Sequence, residues 1–140
     1  MSKLSVPGAD AILAENFAAW VLATGIKAEA TAAEAATLRI PFSEHLCRVG
    51  GILCGQALLT GADTAMVIAL AAASGGFKPC TTVDLTINYM RPITKADALL
   101  EAKVMRSAGR WPSARARCAR QAPPSPQRSP RAPTRSWAER

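Results

Sequence analysis

Asp63 stands alone as a charge within a long apolar run, Gly55 to Ala73. An unpaired carboxylate inside an uncharged helix is costly unless it has a partner or a task. Eight residues before it, Gly55 opens that helix, where free backbone N–H groups and the positive end of the helix dipole gather. An N–H donor aimed at an oxygen, plus a carboxylate base, is the equipment for attack on a carbonyl. Other chemistry is weaker. His45, Cys47 and Cys54 offer three zinc-ligand types at a spacing that fits no common site. Cys54 as nucleophile with His45 as base competes with Cys54 as a small packed thiol.

These residues need a scaffold. Residues 9–24 read as a helix, with Leu13, Phe17, Trp20 and Val21 on one face and Gly25 as its stop. Residues 26–32 and 36–42 read as short strands. Residues 43–54 form a loop in which Gly50-Gly51 permits unusual backbone angles. Residues 55–73 form the central helix, ended by Gly75-Gly76. Being apolar on nearly every side, it is either wrapped by protein or in a membrane. Its Ala and Gly content, Asp63 and the amphipathic strands that follow favour the wrapped state. Cys80–Arg91 alternates Thr82, Asp84, Thr86 and Asn88 with Val83, Leu85, Ile87 and Tyr89, the clearest strand pattern in the chain. Pro92 stops it. Residues 97–106 form another strand, and the short 92–96 connection predicts that these two run antiparallel as neighbours or near neighbours. Residues 107–110 read as a turn.

Charge divides the chain. Residues 1–110 carry ten Lys+Arg and nine Asp+Glu, a net charge of +1. Residues 111–140 carry seven Arg, one Glu and six Pro, a net charge of +6. The near-neutral body gives no electrostatic reason to expect nucleic-acid binding. Four Cys without CxxC spacing read as reduced thiols of a cytoplasmic protein. Asp10 and Glu15 interrupt what would be the apolar core of a signal peptide.

The chain resembles the hotdog-fold acyl-CoA thioesterases, in their phenylacetyl-CoA thioesterase-like branch. The resemblance rests on Leu46-Cys47-Arg48-Val49-Gly50-Gly51, Cys54-Gly55-Gln56-Ala57-Leu58 and Ala62-Asp63-Thr64-Ala65. Thr82-Val83-Asp84-Leu85 and Ile87-Asn88-Tyr89-Met90-Arg91-Pro92 extend it, and it covers residues 10 to about 110. It implies an α+β fold, a long helix wrapped by an antiparallel sheet of about six strands. It implies hydrolysis of a coenzyme A thioester without a cofactor or metal, in a homodimer or homotetramer, with no nucleic acid or membrane partner. Gly55 then matches the family's oxyanion donor and Asp63 its catalytic acid, as general base or nucleophile. Arg48, Gly51, Cys54, Gln56, Val83, Asp84 and Arg91 fall at substrate-binding positions. Against this stand plainer readings. Asp63 is then a surface charge, the glycines serve only the loop, and Arg48 and Arg91 are solvated. Two departures bear on the substrate: many relatives have His-Gly-Gly where this chain has Cys54-Gly55-Gln56, and many have Asn or Gln where it has Arg48.

The resemblance also implies two strands after Arg110, whereas residues 111–140 read as an Arg- and Pro-rich tail with no periodicity. A shifted reading frame accounts for it. Trp111-Pro112 must be TGG-CCN, and the shift forces Ala after a Leu, Met or Val codon. Synonymous choices continue to Leu-Ala-Val-Gly-Glu-Gly-Glu-Val-Arg. Near the end the same shift permits Thr-Gly-Thr-Tyr-Ala-Leu-Val-Gly and then a stop. The expectation is therefore a domain at 1–110 that lacks its last two strands, and an out-of-frame, disordered tail at 111–140. The alternatives are a genuine basic tail that binds acidic partners, a hotdog protein that binds acyl-CoA without turnover, and an inactive product.

Overall fold

A computed structural model describes residues 3–106 and 113–122. Helix α1 spans Val6–Asn16; Ser5 caps it by accepting the Gly8 N–H, and Pro7 sits in its first turn. The single helix expected at 9–24 is interrupted. The Asn16 amide donates to the Ile12 carbonyl, a local bond that competes with helix continuation. Phe17 and Ala18 are extended, and a short α2 follows at Ala19–Leu22. Trp20 consequently lies 65% exposed rather than on a shared apolar face.

Strands β1 (Lys27–Ala32) and β2 (Ala35–Ile40) form an antiparallel hairpin. A 3-10 turn at Glu44–Leu46 leads into the two-residue strands β3 (Cys47–Arg48) and β4 (Ile52–Leu53), which pair across Val49-Gly50-Gly51. Helix α3 then runs Gly55–Ser74, closed by Gly75 at φ 73°. Strand β5 (Asp97–Arg106) pairs with β2 on one side and with β6 (Ser113–Ala122) on the other, in the sheet order β1-β2-β5-β6.

The core lies where α3 crosses this sheet. Leu38, Ile40, Ile68 and Leu100 are fully buried there. Ala57, Leu58, Gly61, Ala62, Ala65, Ile68, Ala69 and Ala72 form the helix's buried stripe, spaced at the helical period. Small residues let the helix axis approach the sheet. At Gly61 the approach leaves no room for a side chain: a Cβ there would lie 2.7 Å from Ile40 Cδ1 and 2.8 Å from Leu100 Cδ1. This is the long helix on an antiparallel sheet that the resemblance implies.

Two expectations about strands are corrected. Cys80–Met90 takes no regular secondary structure and joins no ladder among the described residues. Leu85 and Ile87 are half-buried, while Val83 is 74% and Met90 89% exposed. Alternation gives a segment a face to bury, but a strand also needs a partner for its main-chain groups. Nor is this segment a sheet neighbour of residues 97–106; those pair with β2 and β6 instead.

The second correction concerns residues 111–140. Ser113–Ala122 is not aperiodic tail but a strand, with Ala102 opposite Ala116 and Leu100 opposite Cys118. A ladder is built from main-chain N–H and C=O groups, and proline is what most directly forbids it. All six tail prolines lie outside Ser113–Ala122. The turn expected at 107–110 and the tail beyond residue 122 fall outside the described residues.

Candidate functional site

The second face of α3 carries the expected functional residues. Gln56, Leu59, Thr60, Asp63, Met66, Val67 and Leu70 form a partly or fully exposed stripe opposite the buried one. Asp63 is the only charge on the helix and lies within this apolar stripe. Its Oδ1 accepts a 2.6 Å hydrogen bond from the Thr82 hydroxyl. The Cys80 thiol is nearby; its pKa is raised, first by burial and then by the Asp63 carboxylate. The lone carboxylate thus has a hydrogen-bond donor, and no cation among the described residues neutralises it.

Gly55 is the first residue of α3, and Cys54 precedes it in extended conformation without giving a side-chain cap. The Cys54 N–H donates to the Leu46 carbonyl at 2.8 Å, which ties the helix entrance to the β3–β4 hairpin. The Gly50-Gly51 turn holds φ angles of 91° and 70°, as the sequence requires of that pair. The Gly51 carbonyl accepts from the Lys95 N–H at 3.1 Å, and the Leu53 N–H donates to the Ile93 carbonyl at 2.9 Å. Residues 93–95 therefore hold the loop that delivers Gly55. Tyr89 closes the arrangement, donating its hydroxyl to the Gly55 carbonyl at 3.0 Å.

The structure forms two clusters from the expected residues. At one end are Cys54, Gly55 and Gln56, with Tyr89 against Gly55 and Arg91 two residues further along the chain. At the other is Asp63 with Thr82, followed directly by exposed Val83 and Asp84. Arg48 is exposed on β3 opposite Ile52, and Gly51 lies at the hairpin turn beside the Lys95 side chain. Arg48 and Arg91 make no ion pair among the described residues. His45 and Cys47 join no group of three metal-ligating side chains among those residues. Helix α3 is long and apolar enough to cross a membrane, but 56% of its apolar window is buried within the fold.

Thr82 and Tyr89 were not among the residues expected to act, although both stand in the motifs that carry the resemblance. The signal was their alternation. Thr82 and Tyr89 are an odd number of positions apart, so a regular strand would place them on opposite faces. The irregular segment lets both reach α3.

The family model described as Thioesterase superfamily matches residues 50–110. No curated protein matches the sequence. Among solved structures, a conserved protein from Pseudomonas aeruginosa is similar at 28% identity and a TM-score of 0.61, over 67% of this chain and 74% of that one. Zebra fish thioesterase superfamily member 2 aligns at 23% identity and a TM-score of 0.63, over 79% of this chain and 80% of that one. The E. coli PaaI protein, from the phenylacetic acid degradation operon, aligns at 19% identity and a TM-score of 0.60, over 75% of each chain. The long helix packed on an antiparallel sheet is a hotdog-like α+β arrangement, and within it residues 50–110 are similar to the Thioesterase superfamily.

Proposed function

We propose that this protein hydrolyses the thioester of a small or aromatic acyl-CoA, as a member of the phenylacetyl-CoA thioesterase-like branch. The observation that carries the reading is helix α3: a start at Gly55 without a side-chain cap, and Asp63 held by Thr82 two turns further on, on the exposed stripe. Attack on the thioester carbonyl places negative charge on its oxygen, and the Gly55 N–H stabilises that charge. Asp63 acts in one of two ways. As general base it takes a proton from the attacking water. As nucleophile it forms an acyl anhydride that water then cleaves. In both, the C–S bond breaks, the coenzyme A thiolate leaves and takes up a proton, and the acid is released. Thr82, donating to Oδ1, orients the carboxylate so that its second oxygen faces the reacting atom.

The spacing of Gly55 and Asp63 supports a unit of activity that is at least a dimer. Gly55 and Asp63 lie about 12 Å apart along the helix axis, at about 1.5 Å per residue. One thioester carbon cannot touch both, so the site pairs Gly55 of one protomer with Asp63 of another. The half-exposed apolar stripe around Asp63 is the surface that such an assembly covers. Arg48, Gly51, Cys54, Gln56, Val83, Asp84 and Arg91 supply the substrate contacts in this reading.

Release of free thiol from acyl-CoA substrates of varied chain length and aromaticity tests the proposal. Asp63→Ala lowers turnover at least about a hundredfold, the usual worth of a general base, with the circular dichroism spectrum unchanged. Near-wild-type turnover in that variant would reject Asp63. Acyl-CoA binding without thiol release by the parent chain would instead favour a non-catalytic binder. Arg48 and Cys54, both departures from the relatives' usual residues, favour that second reading.

A further inference from the structure

At position 55 the tight neighbour is a side chain, and the backbone angle itself does not call for glycine. Gly55 is the first helical residue of α3 and is absent from the positive-φ glycines. A Cβ there would lie 3.2 Å from both Cζ and Oη of Tyr89 and 3.4 Å from its Cε1. The same phenol donates to the Gly55 carbonyl at 3.0 Å. One side chain therefore both packs on the helix start and hydrogen-bonds to it. The segment around Tyr89 is otherwise loosely held: Asn88 and Met90 are exposed, and residues 80–90 join no ladder among the described residues.

Helix α3 also lacks the usual device that stops its first turn from fraying, because Cys54 gives no side-chain cap. An oxyanion donor is effective only when fixed in advance of the reaction. We infer that Tyr89 is a positioning residue for the Gly55 donor, gripping the first turn through the Gly55 carbonyl rather than through the N–H groups an N-cap side chain would take. The inference rests on the thioesterase reading for its catalytic consequence, but its structural part stands independently. The phenol ties a segment that joins no ladder among the described residues to the first turn of the helix. Its ring fills the space a side chain at 55 would need.

The test uses the full chain with Tyr89→Phe, which keeps the ring and loses the bond, and Tyr89→Leu, which loses both. Amide hydrogen exchange at Leu58 and Leu59, the first amides of α3 with helical acceptors, is expected to speed up about threefold to tenfold in Tyr89→Phe, the range of one net hydrogen bond. Exchange at Ala65 and Ile68 should stay unchanged. Acyl-CoA turnover should fall by a similar factor in kcat, with KM within about twofold. Gly55→Ala should damage the parent chain more than it damages Tyr89→Leu, where the ring no longer fills the space. Unchanged first-turn exchange in Tyr89→Phe, or equal damage by Gly55→Ala in both backgrounds, overturns the inference. A rise in KM at constant kcat makes Tyr89 a substrate contact and overturns the positioning role. Turnover absent from both the 140-residue chain and its frame-corrected form rejects the hydrolase reading, and the exchange measurement still decides Tyr89.

Discussion

Asp97 and Phe42, 55 residues apart, share a hydrogen bond: the Phe42 N–H donates to Asp97 Oδ1 at 2.7 Å. Asp97 is 1% exposed, and its other oxygen accepts from Arg39 at 3.0 Å. Arg39 also pairs with Glu29 on β1. That bond to Glu29 is the chief cause of the raised guanidinium pKa, with Asp97 adding to it against the opposing effect of burial. The network binds three strands and fixes where β2 passes into the loop that ends at Gly55. Asp97→Asn removes the charge and leaves the shape. The expected loss is about 1.5–3 kcal/mol, the scale of hydrogen bonds to a charged group. It is read as a lower urea midpoint with an unchanged slope. A loss below about 1 kcal/mol would show that the network is dispensable.

The Cys80 thiol reports on Asp63. Its pKa is raised by burial first and by the Asp63 carboxylate second, so little thiolate forms until the pH passes the ordinary thiol value. Only the thiolate alkylates readily. Asp63→Asn removes the carboxylate's part, and Cys80 should then react faster with iodoacetamide at pH 8. Cys47 is raised by burial, Cys54 and Glu44, none of which changes, so its rate should hold. Peptide mass mapping over time separates the two thiols. Identical Cys80 rates in both proteins would mean that the two groups do not interact.

A shared site between protomers has a direct signature. Asp63→Ala and Gly55→Pro chains are each expected to be inactive, the second because proline lacks the donor N–H. Mixed dimers should recover part of the turnover, since one of their two sites keeps both groups. Co-purification through two different tags establishes that the mixed dimer exists. Tagged mixed dimers with no recovered turnover would count against a site built from two helices.

The helix carrying Asp63 and the strand at 97–106 were legible because their patterns are long and locally decided. Gly55–Ser74 differs from the expected helix by one residue at its end, and Asp97–Arg106 matches its expected bounds. Cys80–Arg91 shows what alternation cannot tell: Leu85 and Ile87 do turn inward, yet the pairing depends on a neighbour the local sequence does not name. Ser113–Ala122 shows the converse. Arginine-rich composition hid a proline-free stretch whose main chain pairs with β5. The α1–α2 break depended on Asn16 at a position where hydrophobic periodicity runs straight through. At the site, Asp63 and Gly55 stood out by charge and by place in the helix. Tyr89 did not, because its contact spans 34 residues.

The strand at Ser113–Ala122 narrows the case for a shifted reading frame but does not remove it. Among the described residues β6 has no partner on its outer side, and Cys80–Met90 joins no ladder. A further strand would satisfy both. The shifted reading supplies two alternating segments, Leu-Ala-Val-Gly-Glu-Gly-Glu-Val-Arg and Thr-Gly-Thr-Tyr-Ala-Leu-Val-Gly, where the present chain has seven Arg and six Pro. The first is suited to the place β6 now takes, and the second to the open edge beside it. Unpaired edges invite association with other chains, so the 140-residue chain should aggregate at concentrations where the corrected one stays soluble. We propose that the coding sequence is shifted between codons 106 and 112. Resequencing that region of the source DNA is expected to show one base gained or lost. The corrected protein should end near residue 138 with a near-neutral C-terminal segment and should cleave acyl-CoA. An unshifted source sequence, together with a soluble and active 140-residue chain, would establish the arginine-rich end as the protein's own.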